Sequence, residues 1–192
     1  MTWWKRLIWV GCAFLALALY ILPMLFQQLA ITYQFPKQWT IGLGLSLIIL
    51  ILLVFVAVAK KTGILSPSGK IFQKGDGKRI ALSLLGMLLI SVLGTVLLRW
   101  LHGEVTTANQ ASLMEEFRRG DVILLSIMLG ILAPIAEEII FRGIIPLKIF
   151  KGYESWGYII GGLLFAIFHG PTNIMSFVIY GGASVILTLL AC

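Results

Sequence analysis

Residues 122–147 read VILLSIMLGILAPIAEEIIFRGIIPL, an apolar run with Glu137, Glu138 and Arg142 in its interior. A helix crosses roughly 30 Å of hydrocarbon in about 20 residues at about 1.5 Å each. The run is therefore long enough to span a bilayer. Each ionised group inside such a span costs about 2.5–3.5 kcal/mol on insertion scales, so a cluster of three is a functional hypothesis by default.

The rest of the chain has the same character. Of its 192 residues, 59% are hydrophobic and 12% charged, against about 45–50% and about 25% in an ordinary soluble domain. A mean hydropathy of +1.00 is more apolar surface than one water-soluble core of this size can hide. Three further runs are long enough to span, at residues 7–31, 41–59 and 80–98, and two are shorter or richer in glycine, at 156–169 and 174–191. The chain reads as an all-α, polytopic integral membrane protein with about six transmembrane helices, one membrane domain over residues 1–192 with the lipid bilayer as its solvent. Soluble enzymes, disordered tails and nucleic-acid modules are excluded.

The net charge of +7 is explained by topology and calls for no nucleic acid. If loops alternate, one side holds Lys5, Arg6, Lys60, Lys61, Lys70, Lys74, Lys78, Arg79, Lys148 and Lys151, and the other Lys37, Arg99, Arg118 and Arg119. The positive-inside rule makes the first side cytoplasmic, with both termini on it. The first run follows Lys5 and Arg6 but exceeds the roughly 7–15 apolar residues of a signal peptide, so it reads as a retained anchor. Residues 60–79 form a solvated loop rich in Gly, Ser and Pro. Residues 100–120, on the other side, include a mixed-charge stretch from Met114 to Arg119 suited to a short interfacial helix. Cys12 and Cys192 are too few and too badly placed for a disulfide framework. Glycines in the second, third and sixth runs suit close helix packing.

On a 3.6-residue repeat Glu138 and Arg142 stack on one face and can pair. Glu137 lies about 100° from Glu138 and about 140° from Arg142, which leaves it as the carboxylate available to act as a base. The fifth run ends Leu164-Phe165-Ala-Ile-Phe168-His169-Gly170-Pro171, and His169 is the one histidine within an apolar run. Phe165 and His169 share a helical face. A lone histidine at a helix end is more often a packing residue, but an intramembrane carboxylate elsewhere in the chain favours the reading as a proton shuttle.

Glu137-Glu138-x-x-x-Arg142 followed by Phe165-x-x-x-His169 resembles the first two signature motifs of the CPBP family, which takes in CAAX prenyl endopeptidases and bacteriocin-processing or self-immunity proteins. The resemblance covers residues 121–192 as a catalytic half, with residues 1–120 as N-terminal helices of uncertain role. It implies an intramembrane endopeptidase in which Glu137 and His169 activate a water against a peptide bond, with Glu138, Arg142 and Phe165 supporting the site. The implied substrate is a peptide or membrane-anchored protein, and the implied location a bacterial plasma membrane. A divalent metal such as zinc would have Glu137 and His169 as its ligands, two where catalytic zinc usually has three from the protein.

The family's third motif, His-x-x-x-Asn on a later helix, has no counterpart here, and Asn173 precedes the last run rather than lying within it. The resemblance assigns that motif to the oxyanion, so the 192 residues are expected to make a poor protease, shortened at the C-terminus. The alternative is a catalytically inactive membrane protein serving in bacteriocin self-immunity or as a scaffold. A transporter using Glu137 and Glu138 as an ion site ranks third, because the halves show no repeat symmetry.

Overall fold

The computed structural model describes residues 2–65 and 76–191. Lys70, Lys74 and Cys192, which entered the charge and cysteine counts above, lie outside the described residues. Within them the chain is all helix: α1 (Trp3–Thr32), α2 (Lys37–Lys61), α3 (Asp76–His102), α4 (Ala108–Arg119), α5 (Val122–Ile149), α6 (Glu154–Phe168) and α7 (Ile174–Ala191). The protein is an all-α polytopic membrane protein. Helices α1, α2, α3 and α5 are long and apolar enough to cross a membrane, while α6 and α7 are apolar but shorter. Each of the six apolar runs falls on one of these helices. The loop expected to reach Arg79 stops earlier, since α3 starts at Asp76 and carries Lys78 and Arg79 in its opening turns. The interfacial helix expected near Met114 is α4, which begins six residues sooner and has no buried residue.

The helices group into two compact units, Met1–Pro67 with Met114–Gly157 and Ser68–Leu113 with Tyr158–Cys192.

In the first unit α1 and α2 form a hairpin and α1 packs along α5. The side of α1 turned inward carries Ala13, Ala16, Pro23, Gln27 and Ala30. Spacings of three and four put them on one stripe, and small side chains let the backbones approach closely. Phe14, Leu15 and Leu25 of α1 are exposed, as befits side chains that meet lipid. At one end of this unit cations hold carbonyls at helix C-termini. Arg6 donates from Nη1 to Ile149 O and from Nη2 to Lys151 O, both at 3.0 Å. Lys148 donates to Thr62 O. The opposite end carries Lys37 and Asp121, 3.8 Å apart.

Helix α5 is wound unusually. It is π-helical over Met128–Leu132 and again over Glu138–Ile149. Pro134 and Pro146 each lack the N–H that an α-helix needs and crowd the carbonyl four residues back. A wider winding relieves that crowding without ending the helix. Gly143 and Pro146 therefore do not terminate the span, which runs through to Ile149. Every residue from Ile139 to Pro146 is buried, the pattern of a helix enclosed on all sides.

The second unit is built on α3 against α7. Gly86, Gly94 and Gly182 face Ile186, Ile179 and Ile90 of the opposite helix. Arg79 donates from Nη2 to the carbonyls of Leu189 and Leu190, both at 3.2 Å, satisfying groups that a helix C-terminus leaves open.

Candidate active site

The three charged residues of α5 sit where its winding changes. Glu137 closes a short α-helical stretch, and Glu138 opens the long π-helical one. Nη1 of Arg142 lies 3.4 Å from Oε1 of Glu138. The pair is asymmetric: the Arg142 side chain is 4% exposed and that of Glu138 44%. Glu138 therefore faces outward while holding a guanidinium that is enclosed by the helix bundle. Gly143, the next residue, lies so close to Ile64 that a Cβ there would collide with its Cγ2. Ile64 is fixed by its N–H to Ala59 O at 2.9 Å, so the turn that ends α2 sits directly on the charged segment.

Glu137 points elsewhere, as the helical repeat requires. Tyr20 of α1 falls between Ala16 and Pro23 on the inward stripe of that helix, which packs along α5. Sequence reasoning missed Tyr20. Its position on the stripe, as the one residue there with a titratable group, is the signal that could have found it.

His169 and Phe165 belong to the second unit. Helix α6 ends at Phe168, and His169 occupies the turn that follows. The stop comes from Gly170, whose φ of +59° is a left-handed conformation that glycine adopts without strain. Gly170 N donates to Ile167 O at 2.9 Å. The imidazole is fixed from three sides. Nδ1 lies 2.8 Å from Phe165 O, the Phe165 ring is 4.4 Å away centre to centre, and the Tyr180 ring of α7 stacks on it at 4.6 Å. A carbonyl only accepts, so Nδ1 carries the proton and Nε2 is the basic nitrogen. Tyr180 is locked in turn, its hydroxyl 2.5 Å from Thr107 Oγ1 with both groups buried. Tyr180 was also missed, because only the packing of α7 brings it to His169.

Asn173 is committed to structure. Its Oδ1 accepts from Ser176 N at 2.8 Å at the start of α7, an N-cap, and its Nδ2 donates to Glu104 Oε2 at 3.0 Å. That agrees with its mismatch to the third motif.

The structure thus brings together Glu137, Glu138 and Arg142 in one unit and Phe165 and His169 in the other. Among the described residues no three His, Cys, Asp or Glu side chains group as a metal site. The donors of the first unit are two adjacent glutamates, one of them already on Arg142, and they do not fit the usual three-ligand zinc site.

Residues 119–192 match the family described as Type II CAAX prenyl endopeptidase Rce1-like. Both motifs lie inside that segment, and the resemblance read from them is borne out. The chain is also similar to the UPF0177 protein YvdC of Lactococcus lactis subsp. lactis (strain IL1403), at 33% identity over 104 residues. The similar stretch covers 54% of this chain and 40% of YvdC, so the chain spans well under two thirds of that relative. No solved structure matches the chain.

Proposed function

We propose that the protein is an intramembrane endopeptidase of the CAAX-protease type, acting from the cytoplasmic side on a peptide or membrane-anchored protein. The observation that carries this reading is the coincidence of the match with the chemistry: the segment 119–192 contains Glu137, beside a Glu138–Arg142 ion pair whose guanidinium is buried, and a histidine whose tautomer is set by a backbone carbonyl.

The chemistry follows from those groups. The Glu137 carboxylate takes a proton from a water as the water oxygen attacks the peptide carbonyl carbon. The resemblance gives His169, through Nε2, the role of accepting the water's other hydrogen and orienting the attack. The tetrahedral intermediate collapses with cleavage of the C–N bond. Glu137 returns its proton to the leaving amine, and the products are a carboxylate and an amine. Arg142, paired with Glu138, places a fixed positive charge on the same stretch of α5 as Glu137. Tyr180, stacked on the imidazole, acts as a positioning residue for His169. The donor set falls short of the three protein ligands of a catalytic zinc.

The test is cleavage of a membrane-anchored reporter peptide by cells expressing the chain, read on gels. Glu137→Gln removes cleavage at unchanged protein level. If Glu137→Gln cleaves as the parent does, the catalytic reading fails, and the self-immunity or scaffold reading takes its place.

A further inference from the structure

At the end of the first unit that bears Lys37 and Asp121, a cavity of about 330 Å³ opens between the end of α1, the start of α2 and the start of α5. Gln27 lines it. This residue is 2% exposed, and neither its Oε1 nor its Nε2 has a hydrogen-bond partner. A buried amide left unsatisfied on both atoms is rare, because each loses its hydration with nothing in return. Alanine or leucine on the same stripe would pack there without that cost. Gly120 leaves the space for it, since a Cβ at that position would collide with Nε2.

Around the amide the lining has a consistent chemistry. Lys37 and Arg119 lie at the rim with side chains 80% and 66% exposed, Arg119 donating from Nε to Glu115 Oε1 at 2.6 Å. Helix α2 begins at Lys37 with no side-chain cap on its first N–H groups, which leaves donors and a positive dipole end on the same side. Ile31 and Phe35 give the cavity an apolar wall. Asp121 is engaged, accepting from Ile123 N and Leu124 N and pairing with Lys37.

Depth identifies the occupant. Gln27 is five residues before the end of α1 at Thr32, about 7–8 Å along the helix. That is the level at which hydrocarbon gives way to head groups when α1 spans. We infer that the cavity seats the phosphodiester head group of a phospholipid, with Lys37 and Arg119 on the phosphate oxygens and the Gln27 amide beneath them. Ile31 and Phe35 run alongside the start of the acyl chains. A singly charged phosphodiester suits the site better than a free phosphate dianion, because the Asp121 carboxylate shares the lining and repels the second charge. The site is separate from Glu137 and His169, and its test needs no catalytic activity.

The experiment is thermal unfolding of the purified full chain in a maltoside detergent, followed by tryptophan fluorescence, with and without phosphatidylglycerol. The lipid at tenfold over its dissociation constant raises the Tm by about 3–5 °C. Gln27→Leu, which leaves no amide unpaired, melts at or above the parent without lipid and shifts by less than a third as much with it. The double variant Lys37→Ser with Arg119→Ser also shifts by less than a third as much, and it decides the matter if Gln27→Leu does not fold. No shift in the parent, or an undiminished shift in the folded variants, overturns the site. An equal shift with inorganic phosphate alone overturns the assignment to lipid.

Discussion

The imidazole of His169 stacks on the phenol ring of Tyr180, with centroids 4.6 Å apart and planes inclined by 24°. The contact ties the end of α6 to α7, and through the Tyr180 hydroxyl on Thr107 it ties both to the segment after α3.

The hydroxyl and the ring of Tyr180 make separable contributions. Tyr180→Phe keeps the stack and removes one of the two bonds of Thr107 Oγ1, which still accepts from Gln110 N at 3.3 Å, so it is expected to cost about 0.5–1.5 kcal/mol. Tyr180→Leu removes the stack as well and should cost about 0.5–1.5 kcal/mol more. Thermal unfolding in detergent measures both. If Tyr180→Phe unfolds like the parent, the Thr107 contact carries no stability.

The spans and the first two motifs could be read from the sequence because hydropathy and charge are local properties. Glu138 and Arg142 are four apart on one helix, so their pairing needs nothing from the rest of the fold. Tyr20, Gln27 and Tyr180 are different. Each matters through a neighbour on another helix, and that depends on which face of α1 or α7 turns inward. In a membrane protein both the lipid-facing and the packed face are apolar, so periodicity gives little indication of that rotation. The π-helical winding of α5 was equally hidden: Gly143 and Pro146 suggest a helix end by themselves, and only enclosure on all sides lets the helix continue through them.

Glu137 and His169 are expected to act as one unit. Glu137→Gln and His169→Ala should each abolish the cleavage that the parent supports, and the double variant should be no worse than either single one, as for catalytic groups that work together. Single-turnover rates on the reporter peptide measure this. Multiplicative losses would assign the two residues to independent roles.

The Glu138–Arg142 pair should show in folded yield before it shows in chemistry. Breaking one partner of a buried pair costs about 3–5 kcal/mol, and the half-exposed Glu138 side chain puts this pair at the lower end. Glu138→Gln and Arg142→Met are each expected to lower the monodisperse fraction after detergent extraction. In a double-mutant cycle their coupling should fall in the range of about 0.5–3 kcal/mol seen for contacting residues. Full yield from both single variants would show that the pair is dispensable for folding.

Orientation can be tested at two loops of the first unit. Arg6, Lys60, Lys61, Lys148 and Lys151 belong to one end of α1, α2 and α5, and Lys37 to the other. A single cysteine placed at Lys61 in a Cys12→Ser, Cys192→Ser background should resist a membrane-impermeant maleimide in intact cells, and one at Lys37 should react. The reverse pattern would turn the proposed active site to the outer face.

Gly143→Ala probes the contact between the α2 turn and the charged segment of α5. The added Cβ meets Ile64 Cγ2, and Ile64 cannot simply withdraw, because its backbone is bonded to Ala59 O and a β-branched side chain has few alternative rotamers. Overpacking of this kind costs about 1–3 kcal/mol, whereas glycine to alanine in an open helix gains up to about 1 kcal/mol. A net loss is therefore expected, seen as a lower Tm. Ile64→Ala should restore most of it in the Gly143→Ala background, since the space it vacates is the space the new methyl needs. If the loss comes instead from the winding of α5, which tolerates glycine at 143 for its backbone freedom, Ile64→Ala will not rescue and the two losses will add. A rise in Tm from Gly143→Ala alone would show that α2 and α5 do not approach this closely, and the packing that encloses Arg142 would have to be redrawn.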